Sequence, residues 1–130
     1  MLGDRATVDR VLAMPTWAVV GLSTNRAREA YGVAAFLQAR GRRVVPVHPR
    51  AETVLGEPGY QRLADIPFDV DVVDCFVRSE LVGPVVDEAI DKGAKAVWLQ
   101  LGVVDEDAAA RAEAAGLEVV MDRCPKIDWR

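Results

Sequence analysis

Five short runs of apolar residues constrain the fold of this sequence more than any other feature. Each run is rich in valine or bounded by turn residues, and most are apolar at every position rather than at alternate ones. The runs cover residues 17–21, 43–47, 70–77, 96–101 and 117–121. Strands of a parallel sheet show this pattern when both faces of the sheet are covered by helices. We therefore predict five parallel strands.

Helical patterns separate most of these runs, and three of the patterns end at a glycine. Acidic residues open the last pattern, which suits the positive N-terminal end of a helix. A glycine just beyond the final turn suits the left-handed residue that commonly closes a helix. The three closing residues are Gly41, Gly93 and Gly116. We also predict an N-terminal helix at about residues 4–13 and one helical turn at residues 61–65, within a long loop spanning residues 49–67.

The order of these elements predicts the architecture. Strands that alternate with helices form parallel sheets with right-handed crossovers. We expect a Rossmann-like, three-layer α/β domain, with the strands in the order 3-2-1-4-5 and helices on both faces of the sheet. Because no linker or low-complexity segment divides the sequence, we expect residues 1–130 to form a single domain.

Composition and charge argue against several classes of protein. The formal net charge is −4, whereas binding to nucleic acid needs a basic face. No apolar run approaches the roughly 18 residues that span a membrane. The first six residues lack the apolar core of a signal peptide. We expect a cytoplasmic protein with no nucleic-acid or membrane partner. The sequence does not indicate the oligomeric state, so a homodimer stays open.

Basic residues gather where the predicted strands end. In an open α/β sheet, ligands bind beyond the carboxyl ends of the strands. Arginine binds phosphate oxygens through its planar guanidinium group, and the N–H groups at a helix start add to such a site. The arginines that follow predicted strands are Arg26, Arg28, Arg50, Arg78 and Arg123. This placement predicts an anionic ligand.

Two loops distinguish among nucleotide ligands. Gly21 matches the first glycine of the dinucleotide fingerprint G-x-G-x-x-G, but Ser23 stands where the second would be. After the second strand, where NAD-binding chains carry an acidic residue for the ribose, this sequence has His48, Pro49 and Arg50. An arginine there suits a phosphate on the ribose. The residues therefore disfavour NAD and leave NADP and coenzyme A (CoA) open, because both carry such a phosphate.

The remaining candidates divide between packing and chemistry. Cys75 and Trp98 lie within apolar strands, and we predict that both pack in the core. Cys124 follows the last strand beside Arg123, so we expect it to be the more reactive thiol. Gln100 is polar within an apolar strand and either contacts a ligand or satisfies a neighbouring main-chain group. The sequence has no P-loop or G-x-S-x-G motif, and we predict no catalytic or metal-binding residues.

Several of these segments together resemble small stand-alone CoA-binding domain proteins, which are similar to the N-terminal domain of the succinyl-CoA synthetase alpha subunit. The resemblance extends over about residues 11–129. Its most specific pieces are Trp-Leu-Gln-Leu-Gly at residues 98–102 and Met-Asp-Arg-Cys-Pro at residues 121–125. The sequence departs from the group at His48, where asparagine is usual, and at Arg26, where proline is more usual.

This resemblance implies that the chain binds CoA with the diphosphate near Gly21 and Ser23. It implies that Arg50 is the basic residue after the second strand. The residues expected to contact the ligand are Gly21, Leu22, Ser23, Arg28, Tyr31, His48, Pro49, Arg50, Phe76, Val77, Arg78, Gln100, Gly102 and Cys124. The phosphorylated histidine of the synthetase lies in a second domain, so the isolated chain is expected to bind CoA or an acyl-CoA without catalysis. The alternatives are an NADP-linked or Cys124-dependent enzyme and a regulatory subunit with a vestigial nucleotide site.

Overall fold

Five parallel strands form one sheet in the computed structural model, which describes residues 3–130. Residues 1 and 2 of the predicted domain lie outside this description. The strands are β1 (Thr16–Val20), β2 (Arg43–Val47), β3 (Val72–Cys75), β4 (Ala96–Gln100) and β5 (Glu118–Arg123). Each overlaps one of the apolar runs, and every neighbouring pair is parallel. The predicted α/β class and its five parallel strands are thereby confirmed.

Helices cover both faces of this sheet. They are α1 (Arg5–Leu12), α2 (Glu29–Ala39), α3 (Ser79–Lys92), α4 (Glu106–Ala114) and α5 (Pro125–Asp128), with a 3₁₀ turn at Leu63–Asp65. Side-chain caps fix two helix starts: the Asp4 carboxylate accepts the N–H of Thr7 at 2.8 Å, and that of Asp105 accepts the N–H of Ala108 at 3.0 Å. The four-residue helix α5 was not predicted.

The predicted strand order is wrong in the position of β3. The observed order is β2-β1-β3-β4-β5, so β3 lies between β1 and β4 rather than beyond β2. The connection from β2 crosses back over β1, and right-handedness then places it on the face opposite α2. Leu63, Ile66 and Val70 of this connection are buried in the core on that opposite face, with α3 and α4. The predicted order would have required these residues to lie on the α2 face.

The other face of the sheet is built around two tryptophans. Trp17 and Trp98 are fully buried, with ring centroids 5.7 Å apart, under α1 and α2. Each indole N–H donates to a main-chain carbonyl at 2.8 Å, Trp17 to Met14 and Trp98 to Arg123. Cys75 is also fully buried. The prediction that Cys75 and Trp98 serve packing is confirmed.

The winding of the chain reverses between β1 and β3. The connections that follow these two neighbouring strands run over opposite faces of the sheet, which opens a crevice at the carboxyl ends of β1 and β3. The candidate site therefore begins at the crevice between β1 and β3.

Within residues 3–130, no helix is both long enough and apolar enough to cross a membrane.

Candidate ligand groove

Three adjoining pockets run along the carboxyl edge of the sheet and form one groove. The β2 pocket has a volume of about 360 Å³, the central pocket about 320 Å³ and the β5 pocket about 260 Å³. The first two share Gly21, Arg28 and Phe76, and the last two share Glu29, Gln100 and Leu101. With neighbouring strands about 4.8 Å apart, the groove spans roughly 19 Å from β2 to β5.

Gly21 forms the middle of this groove because no other residue fits there. Its φ is +99°, a conformation that L-amino acids with side chains rarely adopt. A Cβ at this position would overlap the carbonyl oxygen of Phe76. The two segments are held together by the hydrogen bond from the Phe76 N–H to the Val20 carbonyl, at 2.9 Å. The close approach that requires glycine is therefore between β1 and β3.

The loop that follows Gly21 is ordered by its own side chains. The Ser23 hydroxyl accepts the N–H of Asn25 at 3.2 Å, and the Asn25 side chain accepts the N–H of Ala27 at 3.0 Å. This loop leads to Arg28, the N-cap residue of α2, which makes no side-chain capping bond. The first turn of α2 therefore presents main-chain N–H groups at the central pocket, where Arg28, Glu29 and Ala30 form the lining.

Charged groups of both signs line the groove. Arg28 lies at the junction of the β2 and central pockets, Arg62 lines the β2 pocket and Lys126 lines the β5 pocket. Two carboxylates oppose them, Glu29 in the central and β5 pockets and Glu88 in the β2 pocket. The groove is thus suited to an anionic ligand at places where an arginine or a helix start is close.

Eight of the predicted contact residues line this groove, and six do not. The lining residues are Gly21, Arg28, His48, Pro49, Phe76, Val77, Gln100 and Cys124. The six outside the lining of these pockets are Leu22, Ser23, Tyr31, Arg50, Arg78 and Gly102. Leu22 is fully buried and Ser23 nearly so, whereas Gly102 is exposed and donates its N–H to the Asp122 side chain at 2.7 Å.

Most of the predicted strand-end arginines are engaged elsewhere. Arg26 lies over the ring of Tyr31, and Arg123 pairs with Asp128 at 3.2 Å. Arg50 pairs with Glu52 at 3.5 Å on the surface. Within the described part of the chain, Arg28 is the one member of this group that lines the groove, in its β2 and central pockets.

Sequence reasoning missed four charged residues of the groove. Arg62 lies in the irregular segment between β2 and β3, and Lys126 lies on the unpredicted helix α5. Glu29 lies on α2 and Glu88 on α3, two helices that the sequence predicted only from the spacing of their apolar residues. No periodicity in the sequence distinguishes these residues from ordinary surface charges, so their place followed only from the fold.

His48 has one nitrogen committed within its own loop. Its Nδ1 accepts the main-chain N–H of Arg50 at 3.2 Å. A neutral imidazole with this acceptor carries its proton on Nε2, which is then a donor. Because His48 also lines the β2 pocket, it is placed to hydrogen-bond an acceptor there.

Two buried polar side chains lie on neighbouring strands beneath the groove. Gln100 is 3% exposed, and its Oε1 has no hydrogen-bond partner. Asp74 is fully buried, and neither carboxylate oxygen has a partner. Asp74 of β3 is paired with Trp98 of β4, and Gln100 follows Trp98 by two residues. The side chains of Asp74 and Gln100 therefore project from the same face of the sheet. Burial raises the pKa of Asp74 well above its ordinary value, because the interior favours the protonated, neutral carboxyl over the charged one.

The two cysteines differ in their surroundings. Cys75 is fully buried, and burial raises the pKa of its thiol, so the thiol stays protonated. Cys124 is half-buried, follows β5 and lines the β5 pocket with Gln100 and Leu101. Only Cys124 therefore meets the groove.

Known proteins resemble this chain over nearly its whole length. A Bacillus subtilis protein, YneT, is 34% identical over 110 residues, which cover 85% of this chain and 82% of YneT. The structure of a hypothetical protein from Pyrococcus horikoshii superimposes with a TM-score of 0.90 at 36% identity, over 96% of this chain and 89% of that one.

One similar structure belongs to an enzyme of known class. It is a dinucleotide-forming acetyl-coenzyme A synthetase from Ca. Korarchaeum cryptofilum, with a TM-score of 0.76 over 88% of this chain and 28% of the synthetase. At 24% identity, this likeness shows the shared fold alone. The sequence profile of the CoA binding domain family matches residues 15–130. This chain therefore belongs to the CoA binding domain family.

Proposed function

We propose that this chain binds coenzyme A or an acyl-CoA along the groove, without turnover by the isolated chain. The observation that carries the proposal is the placement of Gly21 and Arg28, where the β2 and central pockets meet beside the uncapped start of α2. An arginine and free main-chain N–H groups at one point suit a diphosphate. Membership of the CoA binding domain family supports the same ligand.

The shape of the groove suits a ligand with a nucleotide at one end and a long arm at the other. The β2 pocket is the largest of the three, and Arg62 and His48 line it. We place the adenosine and its ribose phosphate there. The β5 pocket includes Val33, Leu101 and Ile127, which suit the less polar thiol end of the pantetheine arm. The diphosphate then lies between the two ends, at Arg28.

No specific observation favours NADP as the ligand or catalysis as the function. The family match gives no support to NADP. The sequence has a single histidine, His48, and it lacks a P-loop. We predict neither ligase nor dehydrogenase turnover, and NADPH oxidation with a panel of aldehydes would overturn this. The cytoplasmic location and a homodimer stay predictions; the two free cysteines suit a reducing compartment.

Titration calorimetry with CoA, NAD and NADP tests the proposal. CoA is expected to bind with a micromolar or lower dissociation constant, and more tightly than either dinucleotide. Arg28→Ala should weaken CoA by about 10- to 150-fold, the equivalent of losing one charge-assisted contact of about 1.5–3 kcal/mol. Glu29→Gln should strengthen CoA binding, because it removes a negative charge beside the diphosphate.

Arg10→Ala is the matched control for these variants. Arg10 is exposed and pairs with Glu118, the first residue of β5, at the edge of the sheet opposite the groove. Its removal should leave CoA affinity unchanged. Tighter binding of NAD than of CoA, or equal loss of affinity in the Arg28 and Arg10 variants, would contradict the proposal.

A further inference from the structure

The wall of the β5 pocket includes a thiol to which the proposed binding of CoA assigns no chemical step. Cys124 lies on its wall, beside the exposed side chains of Leu101 and Ile127. We propose that this pocket is a covalent capture site, in which Cys124 forms a mixed disulfide with the thiol end of a bound CoA-class molecule. This inference rests on the proposed function, since the groove must first hold the ligand.

Gln100 gives independent evidence that the β5 pocket is built for a ligand. The residue is only 3% exposed, yet its Oε1 has no hydrogen-bond partner. A buried acceptor without a partner is unfavourable, and a ligand that supplies the missing donor relieves this cost. Because Gln100 lines both the central and the β5 pockets, rotation of its side-chain amide toward the groove would let this oxygen accept an amide N–H of the ligand arm. That bond would direct the arm from Arg28 toward Cys124.

The position of Cys124 is set by the fold rather than by a free loop. Its carbonyl accepts the N–H groups of Ile127 and Asp128, at 3.1 and 2.9 Å. The preceding residue, Arg123, is held by the indole of Trp98. After α5, the ring of Trp129 packs edge-on against Phe36 of α2, with centroids 5.7 Å apart. These contacts hold the thiol against the wall of the groove.

The continuity of the groove brings a ligand thiol to this position. Glu29, Gln100 and Leu101 belong to both the central and the β5 pockets. An arm that leaves the diphosphate at Arg28 therefore has an unbroken path across β4 to β5. The same path places no ligand near Cys75, which is fully buried within β3.

The chemical step is thiol–disulfide exchange with the disulfide of CoA. The Cys124 thiol loses its proton, and the thiolate attacks one sulfur of the CoA disulfide. The sulfur–sulfur bond of the CoA disulfide breaks as the new bond to Cys124 forms. The departing CoA thiolate takes up one proton, so that one disulfide is exchanged for another with no net oxidation. The reaction reverses when a reducing thiol attacks the mixed disulfide.

The test follows the intact mass of the native protein with CoA disulfide and, separately, with bis(2-hydroxyethyl) disulfide as a small probe. The wild-type chain should gain one CoA group, located on Cys124 by peptide mapping and removed by a reducing thiol. CoA disulfide should react at least about tenfold faster than the small disulfide, which corresponds to about 1.4 kcal/mol of binding. Desulfo-CoA, which lacks the thiol, should occupy the groove and slow the reaction with CoA disulfide.

Two variants separate this inference from the proposed function. Cys124→Ser should abolish the adduct and Cys75→Ala should retain it, while calorimetry of the wild-type chain with desulfo-CoA measures binding to the groove without covalent chemistry. Binding of CoA without any adduct on Cys124, or an adduct whose rate desulfo-CoA leaves unchanged, would overturn the capture site and leave CoA binding intact. Failure of both CoA and desulfo-CoA to bind would overturn the two proposals together.

Discussion

Trp98 donates its indole N–H to the carbonyl of Arg123 at 2.8 Å, so β4 holds the end of the edge strand β5. The register between these strands shifts at this point, between Leu99 and Gln100. Asp122, the residue that the shift leaves unpaired, has a φ of +60° and accepts the N–H of Gly102 with its side chain. This bulge sets where Cys124 lies relative to Gln100.

Replacing Trp98 should therefore affect both stability and the groove. Trp98→Phe leaves the Arg123 carbonyl without its partner, which should lower the free energy of unfolding by about 1–3 kcal/mol, before any loss from the smaller ring. Urea unfolding measures this change. Trp17→Phe is the matched control, because it loses an equivalent bond to the Met14 carbonyl at the opposite edge. Only the Trp98 variant should also weaken CoA binding; equal effects of both variants on affinity would contradict this role.

Asp74 should make the protein less stable as pH rises. Its pKa is raised by burial, so the folded chain keeps this proton at pH values where the unfolded chain has released it. The folded state then binds more protons, and stability falls by up to about 1.4 kcal/mol per pH unit between the ordinary pKa and the raised one. Asp74→Asn removes this titration.

Urea unfolding of the wild type and Asp74→Asn from pH 4 to pH 8 measures the effect. The variant should gain in stability relative to the wild type as pH rises, with the difference largest at the alkaline end. Parallel stability curves across this range would show that the Asp74 carboxyl titrates alike in the folded and unfolded chains.

The ribose phosphate should depend on Arg62 more than on Arg50. Arg62 lines the β2 pocket, whereas Arg50 is exposed and paired with Glu52. Arg62→Ala should weaken CoA about 10-fold or more while changing dephospho-CoA little, since the two ligands differ by that one phosphate. The two ligands and each variant form a double-mutant cycle by calorimetry. A larger coupling energy for Arg50 than for Arg62 would support the residue that the sequence indicated.

The strands of this fold could be predicted from the sequence, but the position of β3 in the sheet could not. Continuous apolar runs identified all five strands, because burial on both faces leaves that mark. The direction of the β2–β3 connection left no such mark, since Leu63 and Ile66 are apolar whichever face they cover. Helix α5, with four residues, is too short for a periodic pattern.

The candidate site was predictable where a strand end fixes a residue in the chain. Gly21, Phe76 and Gln100 end or follow strands, and all three line the central pocket. Arg62 and Lys126 reach the groove through an irregular segment and an unpredicted helix, so no spacing placed them there. Arg50 follows a strand as predicted, yet it pairs with Glu52, because local charges decide where an exposed side chain points.

Native mass spectrometry of the freshly purified protein tests the central claim most directly. We predict a second species heavier than the chain by one CoA molecule, present on isolation or formed on addition of CoA, and much reduced in Arg28→Ala. The Arg10→Ala variant should keep this species. A single unliganded mass, both on isolation and in excess CoA, would contradict the account.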